Sequence, residues 1–448
     1  MKLSFYGGVK VTSGANYLLE TQKMKILIDC GLHQGSRYAE RLNFEPFPYD
    51  PKTIDAVLIT HAHIDHTGLL PKLVKNGFRG KIFSTAPTAD LTHLFLEDSH
   101  HILGEEAKDF KMPELYDLND LAKLMTLWLS VEYRMPFDIA PGMRAIFHDA
   151  GHILGSSFIF VETEGKKIIF SGDVGNSPAP LLKPTEALPH IDYLVTESTY
   201  GDRIHEDLAE RREILEDTIE ETVSRGGVLM IPAFAMERTQ ELLYEIDQLV
   251  DQRRIPPAPI FLDSPLAIRA TDVYQKYVSF YNPETQALLV DHSIFQFKNL
   301  KKTLTKEESK AINEVRPPKI IIAGAGMSQG GRILHHEKRY LPDPNSMLLI
   351  IGYQGKGSLG RRLLDGEKEV KIHGEEIAVR AHIKAIGGYS AHADQHQLLR
   401  WIHPQRQELK RVFVVQGEDE ASAALQRKII DELAVDAMVP GQMQSFEL

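Results

Sequence analysis

The chain has 448 residues, too many for one ordinary hydrophobic core, so two domains or one domain with a large insertion are expected. Hydrophobic residues make up 43% and charged residues 25%, the balance of a globular protein, and the net charge of −11 argues against a protein that coats nucleic acid non-specifically. A single cysteine, Cys30, excludes a disulfide framework and a cysteine-only zinc site and makes the cytoplasm the simplest compartment; Met1–Gly8 lacks an apolar signal segment, and no apolar run reaches the ~20 residues of a membrane span.

Residues 1–60 alternate short apolar runs with glycine-rich turns, and Ser13–Glu20, Lys25–Gly31 and Asp55–Thr60 read as strands. Residues 86–132 read as helical. Strands return at Arg144–Phe147, Ser157–Val161, Lys167–Phe170 and Tyr193–Thr196, giving a sandwich of sheets with helices outside. The pattern changes near 204. Helices over Glu206–Arg225 and Glu237–Val250 alternate with strands at Gly227–Pro232, Pro259–Asp263, Lys319–Gly324 and Met347–Gly352, the signature of a parallel α/β unit. From about 380 the chain reads strand, turn, helix, strand, ending at Phe413–Gln416. These shifts divide the chain into 1–203, an insertion over 204–380, and 381–448.

The most informative stretch is His61-Ala62-His63-Ile64-Asp65-His66, three imidazoles and a carboxylate directly after an apolar strand. Neutral imidazole nitrogen and carboxylate oxygen suit a borderline-hard divalent ion such as zinc, and four such side chains at one strand end suit two ions better than one. Asp29 closes a strand before Gly31. His152 lies between flanking glycines in Gly151–Gly155, which permit a sharp backbone, and Asp173 ends the strand at Ile168–Phe170, where a carboxylate can bridge two cations.

In this order Asp29, His61, His63, Asp65, His66, His152 and Asp173 resemble the first four motifs of the metallo-β-lactamase superfamily, over residues 1–200. The resemblance implies that His61, His63 and His152 hold one zinc, that Asp65 and His66 hold a second, that Asp173 bridges them, and that Asp29 braces a ligand histidine by accepting its hydrogen bond. Two cations ~3.5–4 Å apart lower the pKa of a shared water and stabilise an in-line displacement. The insertion makes the chain look like the β-CASP branch, which includes RNase J and the pre-mRNA 3′-end endonuclease. Thr196–Gly201 matches one of its motifs, with Glu197 in the acidic position, and Gly388–Asp394 another, with His392. Ile231–Ala235, Asp263–Ala267 and Gly326–Arg332 are also similar. The implied fold is an αββα metallo-β-lactamase sandwich with an inserted α/β (β-CASP) domain.

The implied function is a metal-dependent phosphodiesterase cleaving single-stranded RNA as an endoribonuclease. A zinc-bridging hydroxide is its nucleophile, and His392, oriented by Glu197, is its general acid. Ser328, Gly330, Gly331 and Arg332 form a glycine-rich turn before a helix, suited to a phosphate; Lys356, Arg361 and Arg362 form a second basic group that reads equally well as a solvated face. The match fails at one place. RNA-cleaving relatives usually carry Val-His-Gly-Glu at the last strand, and this chain has Val415-Gln416-Gly417-Glu418. A neutral amide is a poorer zinc ligand than imidazole, so the resemblance implies a second site that is weak or selective for manganese. Gln416 leaves open a DNA nuclease of the same branch and a catalytically weak RNA-binding scaffold. No membrane partner is expected, and a homodimer is compatible with the sequence.

Overall fold

A computed structural model describes residues 1–448 other than 206, 207, 291, 292, 353, 356, 387 and 388, and at 208 and 209 the backbone alone. Two seven-stranded sheets form the first compact unit, residues 1–204 with 392–448. One sheet runs in the order Ser445–Glu447, Lys2–Gly7, Asn16–Glu20, Lys25–Ile28, Ala56–Leu58, Lys81–Ser84, Trp128–Ser130. The other runs Ala437–Met438, Arg411–Val414, Tyr193–Thr196, Lys166–Phe170, Ser157–Thr163, Met143–Asp149, Phe137–Ala140.

Both faces of each sheet are apolar, and the period of two sorts them. Leu19, Ile26 and Ile28 of the first sheet pack with Ile159, Val161, Ile168 and Phe170 of the second. Their neighbours Leu18 and Leu27 turn the other way, onto Leu96 and Leu103 of the helix Ala86–Phe110. Phe158, Phe160 and Ile169 turn outward onto Leu398 and Leu425 of the helices Gln395–Ile402 and Asp419–Leu433. A strand apolar on both faces needs cover on both, and four layers, helix–sheet–sheet–helix, follow. Within the region read as helical, the helices are Ala86–Phe110 and Leu118–Thr126, followed by a strand at Trp128–Ser130.

Residues 205–391 form the second unit. Its main sheet has six strands, in the order Leu300–Lys302, Ile260–Leu262, Lys319–Ala323, Val228–Pro232, Met347–Ile351, His382–Ile386, all parallel, and Glu369–Ile372 with Glu375–Ala378 form a separate antiparallel pair. The last strand of the main sheet lies beyond the boundary expected at 380. His382–Ile386 pairs in register with Met347–Ile351, so the insertion's sheet continues into the stretch assigned to the closing segment. Among the described residues, no helix is long and apolar enough to cross a membrane.

Candidate metal centre

The site residues of the first unit lie where strands of the two sheets end. The strand Lys25–Ile28 delivers Asp29, which adopts a left-handed backbone (φ 58) that aspartate tolerates better than most residues. Its Oδ1 accepts from the Thr60 amide at 2.8 Å, and its Oδ2 accepts from Thr60 Oγ1 at 2.8 Å and His66 Nδ1 at 2.7 Å. A carboxylate only accepts, so His66 carries a proton on Nδ1. Because the Thr60 hydroxyl donates to Asp29, it accepts from His61 Nδ1 at 3.0 Å, and His61 presents the lone pair of Nε2. Thr60 thus sets a tautomer. Sequence reasoning missed it, and the available signal was a hydroxyl directly before the first histidine. His152 is delivered by a loop in which Gly151 takes φ +63 and a Cβ would meet Lys183 O at 2.7 Å, so only glycine fits there.

Four donor atoms converge. His61 Nε2 is 3.0 Å from His63 Nδ1, which is 3.2 Å from His152 Nε2. Asp173 Oδ2 is 3.3 Å from His61 Nε2 and 3.5 Å from His152 Nε2. A tetrahedron of ~2.0–2.1 Å zinc–nitrogen or zinc–oxygen bonds has edges of about 3.3–3.4 Å, so the donor set fits a divalent ion. The electrostatics agree. Burial, reinforced by His61, holds His63 well below the usual imidazole range, and burial reinforced by His392 does the same for His152. Burial opposes charge on Asp173, but His66, His61 and His392 outweigh it and keep the carboxyl well below its usual range.

Asp173 Oδ1 faces the other way, 3.4 Å from His66 Nε2, and is buried without a hydrogen-bond partner. Asp65 Oδ2 lies 3.8 Å from the same nitrogen. Burial, with Asp173 adding to it, raises the Asp65 carboxyl above its ordinary range. On His66 burial opposes charge, yet Asp173, Asp29 and Asp65 together outweigh it and raise its pKa. Gln416 brings Nε2 to 3.0 Å from His66 Nε2.

His392 joins the same unit. It bridges to Gly175, and the next amide, Ala393 N, donates to Val174 O at 2.7 Å. His392 Nδ1 lies 3.2 Å from Glu197 Oε2, 3.3 Å from Oε1 and 3.9 Å from Asp173 Oδ2. Glu197 is fully buried and pinned by the amides of Val174 at 2.6 Å and Thr199 at 3.3 Å, whereas His392 keeps 21% of its side chain exposed. Asp173, Glu197 and His392 also form a second convergent group of ligand-type atoms.

Ser328, Gly330, Gly331 and Arg332 occupy the loop between Ala323 and Ile333 of the second unit. Ser328 Oγ donates to Glu337 Oε1 at 2.5 Å. Arg332 Nη1 donates to Asp263 Oδ1 at 2.7 Å and Thr303 O at 3.0 Å, and Nη2 to Leu304 O at 2.8 Å. Arg361 pairs with Asp365 and Arg362 with Glu367, as on a solvated face, while Lys356 and Gly388 lie outside the described residues.

Residues 18–193 match the Metallo-beta-lactamase superfamily domain, 239–363 the Beta-Casp domain, and 376–440 the Zn-dependent metallo-hydrolase RNA specificity domain. The chain is 38% identical to Ribonuclease TTHA0252 of Thermus thermophilus, over 95% of each chain. It is 33% identical to the RNase J-like protein of Methanocaldococcus jannaschii, over 98% of this chain and 97% of the relative. It is 30% identical to the transcription termination factor FttA of Methanosarcina mazei, over 100% of this chain and 72% of the relative. With an αββα sandwich, an inserted parallel sheet and a histidine–aspartate cage in place, the chain belongs to the β-CASP family of metallo-β-lactamase-fold nucleases and is a hydrolase.

Proposed function

We propose that the protein cleaves single-stranded RNA internally by hydrolysing a phosphodiester. The observation that carries the reading is the pairing of a cage with ion-sized edges, His61, His63, His152 and Asp173, with a dyad beside it, a partly exposed His392 held by a buried Glu197. The names of the ribonuclease relatives support RNA as the substrate.

His61, His63, His152 and Asp173 would hold a zinc ion, which when bound supplies Lewis-acid activation of water and neutralises phosphate charge. Asp65, its carboxyl raised by burial, accepts the proton of the attacking water. Glu197 takes the hydrogen of His392 Nδ1, which fixes the ring and leaves Nε2 to deliver a proton to the departing oxygen. In the insertion, the amides of Gly330 and Gly331 are assigned to the RNA backbone, with Arg332 fixing their loop through Asp263.

Elemental analysis of the purified protein beside a cleavage gel of labelled single-stranded RNA and DNA tests the proposal. Zinc in the protein and internal RNA products are expected. Cleavage of DNA alone would reassign the substrate, and RNA binding without cleavage would make the protein a scaffold.

A further inference from the structure

We propose that Gln416 closes the second ion position by hydrogen-bonding His66 Nε2, so that this chain works with one divalent ion, held by His61, His63, His152 and Asp173. The inference rests on the metal-hydrolase reading above and departs from the two-ion arrangement expected from the sequence.

The direction of the amide decides the matter. Gln416 Nε2 is 3.0 Å from His66 Nε2 and 3.4 Å from Thr12 O. Thr12 O only accepts, so the nitrogen belongs on this side, and turning the amide over would set two oxygens against each other. An NH₂ group has no lone pair to offer a cation. With Nδ1 donating to Asp29, His66 Nε2 is the natural acceptor for the amide, and that contact uses the lone pair a second ion would need. A proton on Nε2 would instead place two donors face to face.

Gln416 is also held where it stands. Its backbone amide donates to Gly8 O at 2.7 Å, its backbone carbonyl accepts from Thr199 Oγ1 at 3.0 Å, and it keeps a left-handed backbone at φ 47, a conformation that a non-glycine residue holds only where the surroundings impose it. The side-chain oxygen points away from His66. It and the Tyr17 hydroxyl, both buried, would lie 2.2 and 2.6 Å from a Cβ on Gly8, so the absent side chain of Gly8 is what makes room for this orientation. Neither that oxygen nor the Tyr17 hydroxyl has a hydrogen-bond partner among the described residues.

The test is the zinc stoichiometry of metal-stripped full-length protein, titrated with Zn²⁺ alone and read by native mass spectrometry, with Co²⁺ absorption as a second readout. One tight ion is expected in the natural chain and two in Gln416→His. Gln416→Glu, which also offers a ligand in place of a donor, is expected to bind two and serves if the histidine variant fails to fold by circular dichroism. Two tight ions in the natural chain overturn the inference and leave the hydrolase reading intact. One ion in both variants overturns it as well, since the amide would then not be the block. No ion in any form overturns the hydrolase reading and this inference with it.

Discussion

Two buried aspartates, each just beyond a strand that carries parallel partners, show how the same residue type serves opposite ends. Asp173 in the sandwich and Asp263 in the inserted domain are 3% and 0% exposed, and both have histidine beside them. Around Asp263 every lone pair is answered. Oδ1 accepts from Thr303 Oγ1 and Arg332 Nη1, each at 2.7 Å, and Oδ2 accepts from Ser309 Oγ at 2.7 Å and His336 Nε2 at 2.8 Å. Burial opposes its charge, but these four donors outweigh burial and hold the carboxyl below its ordinary range. Around Asp173, imidazole nitrogens crowd one oxygen at 3.3–3.5 Å and the other has no hydrogen-bond partner. A saturated carboxylate is a structural knot. An unsaturated one amid imidazoles has the donor arrangement that suits a cation.

The largest effect that can break this contrast is a crossed pair of substitutions. Asp173→Ala is expected to lose the ion and with it RNA cleavage, while the urea unfolding of metal-free protein moves less than in Asp263→Ala, because one carboxylate oxygen has no hydrogen-bond partner to lose. Asp263→Ala is expected to keep the ion in the folded protein and to destabilise it by ~3–5 kcal/mol, the usual cost of leaving a buried cation partner unpaired. Zinc content and urea unfolding, measured on both, decide. Metal loss in Asp263→Ala, or a large stability loss in metal-free Asp173→Ala, would collapse the distinction.

A smaller effect separates ligand from acid. His392→Ala is expected to slow cleavage by ~10²–10⁴ with zinc content unchanged, as for a general acid. Loss of zinc in step with activity would instead make His392 a ligand, in keeping with its place beside Asp173 and Glu197.

The cage was legible in the sequence because its spacing is local. A loop of six residues carries two of its three histidines, and a strand end announces its aspartate. The four-layer sandwich was legible because its strands are apolar on both faces. What depends on hydrogen-bond direction was not. Thr60 reads as an ordinary strand-end residue until Asp29 and His61 close on it. The knot at Asp263 draws Thr303, Ser309, Arg332 and His336 from distant positions, each a common residue, so nothing in the sequence announces it. The strand His382–Ile386 was seen as a strand, but which sheet a strand joins is a matter of tertiary pairing. The short helix Lys306–Ala311 was passed over. Its sequence is mostly charged, and its capping box of Thr305 and Glu308 carries no apolar stripe to mark it.

The finest test asks whether a lone unpartnered oxygen is enough to make a cation site, and Glu337 supplies it. Like Asp173 it is buried with one oxygen, Oε2, lacking a hydrogen-bond partner. Unlike Asp173 it faces a single hydroxyl donor, Ser328, and burial outweighs that bond, pushing its carboxyl up to about 7 from an ordinary 4.5. It therefore keeps its proton where an unfolded chain would lose it. The sign follows: the raised pKa favours folding fully below pH 4.5, and that contribution is lost as the pH climbs to about 7, by up to ~1.4 kcal/mol per pH unit. Glu337→Gln removes the titration and keeps the shape. Urea unfolding between pH 4 and pH 8 is expected to show a shallower decline in the variant than in the natural chain, with zinc content the same in both. An unchanged slope would mean that Glu337 is ionised in the folded protein, and loss of zinc would tie the two carboxylates to one function.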